Sequence, residues 1–161
     1  MSTVQAIPDG MHSLTPHLVC RDAAAAIDFY VRAFGAIEQF RLHMPDGKII
    51  HACVQIGDSQ LFLVDAMPEY GALGPDVLKG TPVTIHLQVP DADAVFACAL
   101  AAGATVAMPL ADQFWGDRYG KLTDPFGHHW SVATHVRDLS PEQIRAGAAA
   151  AMGGCPEARA H

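Results

Sequence analysis

Residues Asp112–Val136 read DQFWGDRYGKLTDPFGHHWSVATHV. Gly120–Thr123 and His128–His135 within them have the character of strands, and in the second Trp130 and Val132 alternate with His129, Ser131, Ala133 and His135. Successive strand side chains point to opposite faces, so this alternation predicts one apolar face and one open, polar face. The loop ahead of the strands, Asp112–Gly120, packs Phe114, Trp115, Arg118, Tyr119 and two glycines into nine positions. Such a loop suits a clamp on a planar or anionic ligand, with Trp115 stacking and Arg118 offering a fork of donors. The plainer alternative is a structural hairpin in which Arg118 pairs with Asp117 or Asp124.

The elements before this stretch give the second half its order. Val83–Val89 alternates as a strand, Asp91 stands as a helix N-cap, Ala94–Ala102 is an apolar helix stopped by Gly103, and a further strand lies near Ala104–Met108. The first half repeats that order. A strand over Ser13–Cys20 leads to the capping Asp22 and a helix whose Ala26, Ile27, Tyr30, Val31 and Phe34 form a stripe ended by Gly35. Strands over Ala36–His43, Lys48–Ile56 and Leu61–Asp65 follow, joined by turns at Pro45-Asp46-Gly47 and Gly57-Asp58-Ser59. Three pairs, Thr15 and Thr84, His17 and His86, Asp22 and Asp91, share one separation of 69 residues. A constant offset across a strand and its following cap signals duplication. The expected architecture is α+β: a leader over 1–12, a βαβββ module over 13–66, a connector rich in Gly and Pro over 67–82, a second βαβββ module over 83–139, and a helix with a frayed tail over 140–161. One helix covers only one face of a four-stranded sheet, so the other face must meet its duplicate or a second subunit.

Composition narrows the function. The 161 residues are 50 % hydrophobic and only 17 % charged, which excludes general disorder. Ten Lys and Arg against seventeen Asp and Glu leave a net charge of −7, which disfavours a grip on phosphate backbones and hence a nucleic-acid partner. No run approaches the roughly 20 apolar residues of a membrane-spanning helix, and the expectation is a soluble, cytoplasmic protein with no membrane partner. The cysteines Cys20, Cys53, Cys98 and Cys155 form no Cys-x-x-Cys pair and are expected to be reduced thiols. Nine histidines are the compositional oddity.

Strand parity sorts those histidines. In Val83–Val89 the apolar row Val83, Ile85, Leu87 and Val89 belongs under the helix, leaving Thr84, His86 and Gln88 on the other face. The same rule puts Thr15 and His17 opposite the helix in the first strand, and His129 and Ser131 opposite it in the last. A face bearing His17, His86 and His129 with Thr15, Thr84 and Ser131 can bind a small polar molecule or a cation. It can equally be a wet sheet face with no chemistry. His51 and Cys53 share a face of the third strand, but two ligands do not make a metal site.

Five stretches together resemble the glyoxalase, bleomycin-resistance and extradiol-dioxygenase superfamily, the vicinal oxygen chelate group, and within it the PhnB-like branch. They are Asp22–Ala36 (DAAAAIDFYVRAFGA), Met44–Ser59 (MPDGKIIHACVQIGDS), Gly80–Phe96 (GTPVTIHLQVPDADAVF), Ala102–Val106 (AGATV) and Asp112–Val136. The resemblance spans about Leu14–Leu139. It implies paired βαβββ modules forming a cupped mixed sheet around a cavity, a small-molecule ligand and a homodimer. Metal-using members carry His and Glu at four pseudo-symmetric points, which fall here on Thr15, Phe62, Thr84 and Ser131. These are not a normal ligand set for a divalent metal. His17 and His86, two positions further along the same faces, are the alternative metal ligands, without an obvious carboxylate. Two functions therefore stand side by side. One is a metal-dependent lyase or isomerase in which His17, His86 and His129 act on a substrate oriented by Trp115, Arg118 and Tyr119. The other is a non-catalytic drug-binding protein, without metal, that uses the same cavity.

Overall fold

The computed structural model describes residues 4–153; the predicted frayed tail lies, from residue 154 on, outside the described residues, as does Cys155. The first half runs β1 (His17–Cys20), α1 (Ala23–Phe34), β2 (Ile37–His43), β3 (Ile49–Ile56) and β4 (Ser59–Asp65). Asp22 caps α1 by accepting from the Ala25 amide at 2.9 Å, and Gly35 ends it in the left-handed conformation at φ 66°. Of the stripe read from the sequence, Ala26, Ile27 and Tyr30 are sealed from solvent together with Phe29 and Ala33, Phe34 is half-buried, and Val31 is exposed, one position off the buried face. Burying each of the three larger sealed side chains is worth about 1.5–3 kcal/mol.

The second half repeats the series as β5 (Thr84–Gln88), α2 (Ala92–Ala102), β6 (Thr105–Asp112), β7 (Asp117–Thr123) and β8 (His129–His135). Each half forms its own four-stranded mixed sheet, in the orders β1-β4-β3-β2 and β5-β8-β7-β6, with a parallel pair at the start and antiparallel pairs after it. The 69-residue offset holds in the register: His17 pairs with Phe62, and His86 with Ser131. It holds in the helix starts too, where the Ala23 amide donates to Asp65 and the Ala92 amide to Thr134.

Several boundaries differ from expectation. β1 begins at His17 rather than Ser13, because Pro16 cannot donate a ladder hydrogen bond. β6 and β7 run on to Asp112 and back from Asp117, longer than the sequence pattern suggested. The connector holds a 3₁₀ turn, Pro68–Tyr70, and one helical turn, Pro75–Leu78, where only irregular chain was expected. After β8 a last helix, α3 (Pro141–Met152), starts at a capping box in which Ser140 and Gln143 satisfy each other's backbone amides.

α1 and α2 pack on each other, so the helix faces of both sheets merge into one core. Its joint is the turn between β7 and β8. The Asp124 carboxylate, 4 % exposed, accepts from the Tyr30 hydroxyl of the first half at 2.5 Å. It also accepts from Trp130 Nε1 at 3.0 Å and from the Phe126 and His128 amides at 2.9 and 3.0 Å. His128 Nε2 donates across the halves to the Val19 carbonyl at 2.9 Å. The equivalent turn of the first half makes no such closure against β5. A cleft of about 1110 Å³ opens there, lined by Phe34, Ile56, Gln60, Ile85, Leu87 and Trp130 among others.

Candidate functional site

Pairing in the second sheet sets up its open face. β8 lies between β5 and β7, and across it run two rows: His86, Ser131 and Lys121, then Gln88, Ala133 and Tyr119. Directly paired residues share a face, so Ser131 and Ala133 form a floor between a wall of His86 and Gln88 and a wall of Tyr119 and Lys121. The His86 and Tyr119 rings lean over this floor, nearly parallel at 17° with centroids 6.0 Å apart. They leave Ser131 only 2 % exposed and Ala133 fully covered.

Hydrogen bonds fix His86. Its Nε2 lies 2.9 Å from Gln88 Oε1, which can only accept, so the ring donates there. In the neutral ring Nδ1 then accepts the Ser131 hydroxyl proton, at 2.7 Å. His129, one row away, sits 3.2 Å from the Thr123 hydroxyl through Nδ1, and Thr84 pairs with it in register.

The aromatic loop closes one end of the face. Trp115 meets Tyr119 edge to face at 5.3 Å and donates from Nε1 to Asp117 at 3.1 Å. Asp117 also receives His135, whose second ring nitrogen donates to Asp138. These two carboxylates, Asp138 before Asp117, raise the His135 pKa above its ordinary value. Gly116 makes the loop possible: φ is 104°, and a Cβ there would lie 2.3 Å from the Arg137 carbonyl oxygen.

Arg118 departs from its expected place. It pairs across the strands with Asp112 and Thr134, on the helix side of the sheet. Its guanidinium is taken by Asp93 of α2, through two bonds of 2.7 and 2.9 Å, and by Asp112 at 3.2 Å. Neither Asp117 nor Asp124 is its partner, and the fork faces away from Trp115 and Tyr119.

The first sheet carries a different surface. Its open face presents His17, Phe62 and Cys53 in one row, flanked by His51 and the exposed Phe40. Here the rings pack on each other: His51 lies 4.9 Å and His17 6.0 Å from Phe62, both edge to face. Cys53 is buried, which raises its thiol pKa, and its Sγ points at Gln60. Thr15 lies ahead of β1 and, with Thr84 and His86, lines the cleft between the halves.

The sequence-predicted site thus divides. His86, Ser131, Tyr119 and Trp115 form one connected array, with His129 and Thr84 beside it, whereas His17 and Phe62 stand on the other sheet. Gln88, although sorted to the right face by parity, was not singled out. Lys121 was missed because β7, read as only four residues, was too short to sort by parity. A divalent metal does not fit the four family positions: two threonines, a phenylalanine and a serine offer no carboxylate, imidazole or thiolate. His17 and His86 lie on different sheets, both nitrogens of His86 are engaged, and among the described residues no three His, Cys, Asp or Glu side chains gather as a metal site.

Two βαβββ halves whose open faces carry aromatic and polar side chains define the cupped-sheet class implied by the sequence. The chain belongs to the Glyoxalase/Bleomycin resistance protein/Dioxygenase superfamily, whose model matches residues 10–132. It is 53 % identical over 137 residues to the uncharacterized protein Rv0887c of Mycobacterium tuberculosis, covering 83 % of this chain and 81 % of that one. Among solved structures it is similar to TioX from Micromonospora sp. ML1, with 28 % identity, a TM-score of 0.61, and coverage of 78 % of this chain and 99 % of that one. The PhnB protein from Bacillus cereus shares the fold, at 19 % identity and a TM-score of 0.60, over 76 % of this chain and 99 % of that one.

Proposed function

We propose that this protein binds a small molecule on the open face of the second sheet, holding it with aromatic and polar side chains rather than through a resident metal. The observation that carries this reading is the continuous array Trp115, Tyr119, His86 and Ser131, which joins a partly exposed indole to an imidazole fixed from both sides. Aromatic surface beside a few fixed polar groups is the usual make-up of a small-molecule site. Because both His86 nitrogens are engaged, the array suits holding a ligand better than transferring a proton, and this favours sequestration over lyase or isomerase chemistry. The molecule acts as a homodimer in this reading. β1 and β5 each pair on one side only, and Ile37, Phe40 and Leu42 of β2 are exposed, so a second copy has both strand edges and apolar surface to meet.

The test combines three measurements on protein purified without chelator. Elemental analysis should find no stoichiometric metal, and light scattering should give twice the chain mass. Planar aromatic fragments should quench tryptophan fluorescence, and Trp115→Phe should remove that response while Trp130, buried in the core, stays silent. Stoichiometric metal that is needed for fragment binding would overturn the reading, as would quenching that survives Trp115→Phe.

A further inference from the structure

Duplicated positions on the two open faces differ in chemistry at most points. Where the second sheet has Gln88, His86, Tyr119 and Lys121 around Ala133 and Ser131, the register of the first sheet places Val19, His17, His51 and Cys53 around Val64 and Phe62. The first face sets two imidazoles against Phe62, beside Val19, Val64 and a buried thiol. The second carries donors: among the described residues no hydrogen bond uses the Gln88 amide N–H groups, the Tyr119 hydroxyl or the Lys121 ammonium, Gln88 bonding His86 through its oxygen.

Lys121 stands apart even among these. It is the one lysine or arginine on the open face of either sheet among the described residues, and none of their ion pairs uses it. Asp117, the single carboxylate among the described strand residues of these faces, is already bonded to Trp115 and His135. Adjacent strands lie about 4.8 Å apart, so His86 and Lys121, one strand to either side of Ser131, have Cα atoms roughly 10 Å apart. Lys121 thus stands across the covered floor from His86, on the same strand and face as Tyr119.

We infer that Lys121, with the Tyr119 hydroxyl and the Gln88 amide, forms an anion-recognising subsite that selects small molecules bearing a carboxylate next to a planar apolar body. The inference rests on the proposed binding function and adds the class of ligand. Lys121 supplies the charge, Tyr119 and Gln88 supply directed donors, and Trp115 covers the apolar part. A charged hydrogen bond is roughly twice as strong as a neutral one, so removing the ligand's charge should cost affinity at this position and nowhere else.

Naphthalene-2-carboxylate and naphthalene-2-carboxamide, equal in shape and differing in charge, form the probe pair. Both are titrated into ¹⁵N-labelled protein, following the amides of Ser131 and Ala133. The carboxylate should bind about tenfold more tightly than the amide, and added salt should weaken only the carboxylate. Lys121→Met should bring the two within about twofold by weakening the carboxylate alone, and Lys121→Arg should keep the preference. An unchanged amide affinity also reports that the Lys121→Met variant is folded. If both probes bind the face equally in the wild type, or if the preference survives Lys121→Met, the subsite is refuted and the binding function stands. If neither probe perturbs Ser131 and Ala133, both fail.

Discussion

Replacing Asp124 by Asn changes one atom and should loosen the joint between the halves. The side chain keeps its shape, but its amide nitrogen must now face one of two donor pairs. Facing the Phe126 and His128 amides, it orphans two backbone N–H groups. Facing Tyr30 and Trp130, it lets the tyrosine oxygen accept but leaves both the tyrosine O–H proton and the indole N–H without their acceptor. The second orientation is the cheaper. Each orphaned buried donor costs about 1–3 kcal/mol, the hydroxyl less because its oxygen stays bonded, giving a total of about 3 kcal/mol. For a chain of this length that lowers Tm by about 6–12 °C. Tyr30→Phe removes one bond to a charged group and should cost about 1.5–2 kcal/mol. Because the two side chains touch, the double variant should lose about 1 kcal/mol less than the two single variants combined. Urea unfolding followed by the fluorescence of Trp130, itself bonded to Asp124, measures all three. A loss below about 1 kcal/mol for Asp124→Asn, or strict additivity with Tyr30→Phe, would refute the view that this carboxylate ties the halves together.

Three further expectations follow from neighbouring contacts. Gly116→Ala combines positive φ with a clash against the Arg137 carbonyl; it should cost about 2–3 kcal/mol and displace Trp115, read as lower Tm together with weaker fragment quenching. Arg118→Ala cuts exposed, solvent-screened ion pairs on the helix side, so Tm should hardly move and fragment affinity should stay unchanged; a large affinity loss would return Arg118 to the site. The folded-state pKa of His135 is raised, so its contribution to stability is complete below the ordinary value of 6.5 and is lost as pH rises through the raised one. An NMR titration should put its midpoint above 6.5, with Asp138→Asn lowering it more than Asp117→Asn does.

What could be read from residues alone was whatever local periodicity encodes. Parity in β8 separated Trp130 and Val132 from His129 and Ser131 without any knowledge of partners, and the 69-residue offset predicted equivalent strands and caps. Contacts between distant segments were beyond such reading. The charge on Arg118 is the same whether it points at a ligand or at Asp93, 25 residues earlier, and only the pairing of β7 with β6 and β8 settles its face. Asp124 carried no pattern at all, since its meaning lies in Tyr30, 94 residues away. Duplication sharpens the point. The two halves share the positions that build the fold: the Asp22 and Asp91 caps, the helix-start acceptor at Asp65 and Thr134, and the register of His17 with Phe62 and of His86 with Ser131. They differ where nothing in the fold constrains them, with Cys53 against Lys121 and Val19 against Gln88. The divergence leaves each open face free to carry its own chemistry, and the proposed anion subsite uses that freedom on the second face, where Lys121 and Gln88 stand at the positions that Cys53 and Val19 hold in the first.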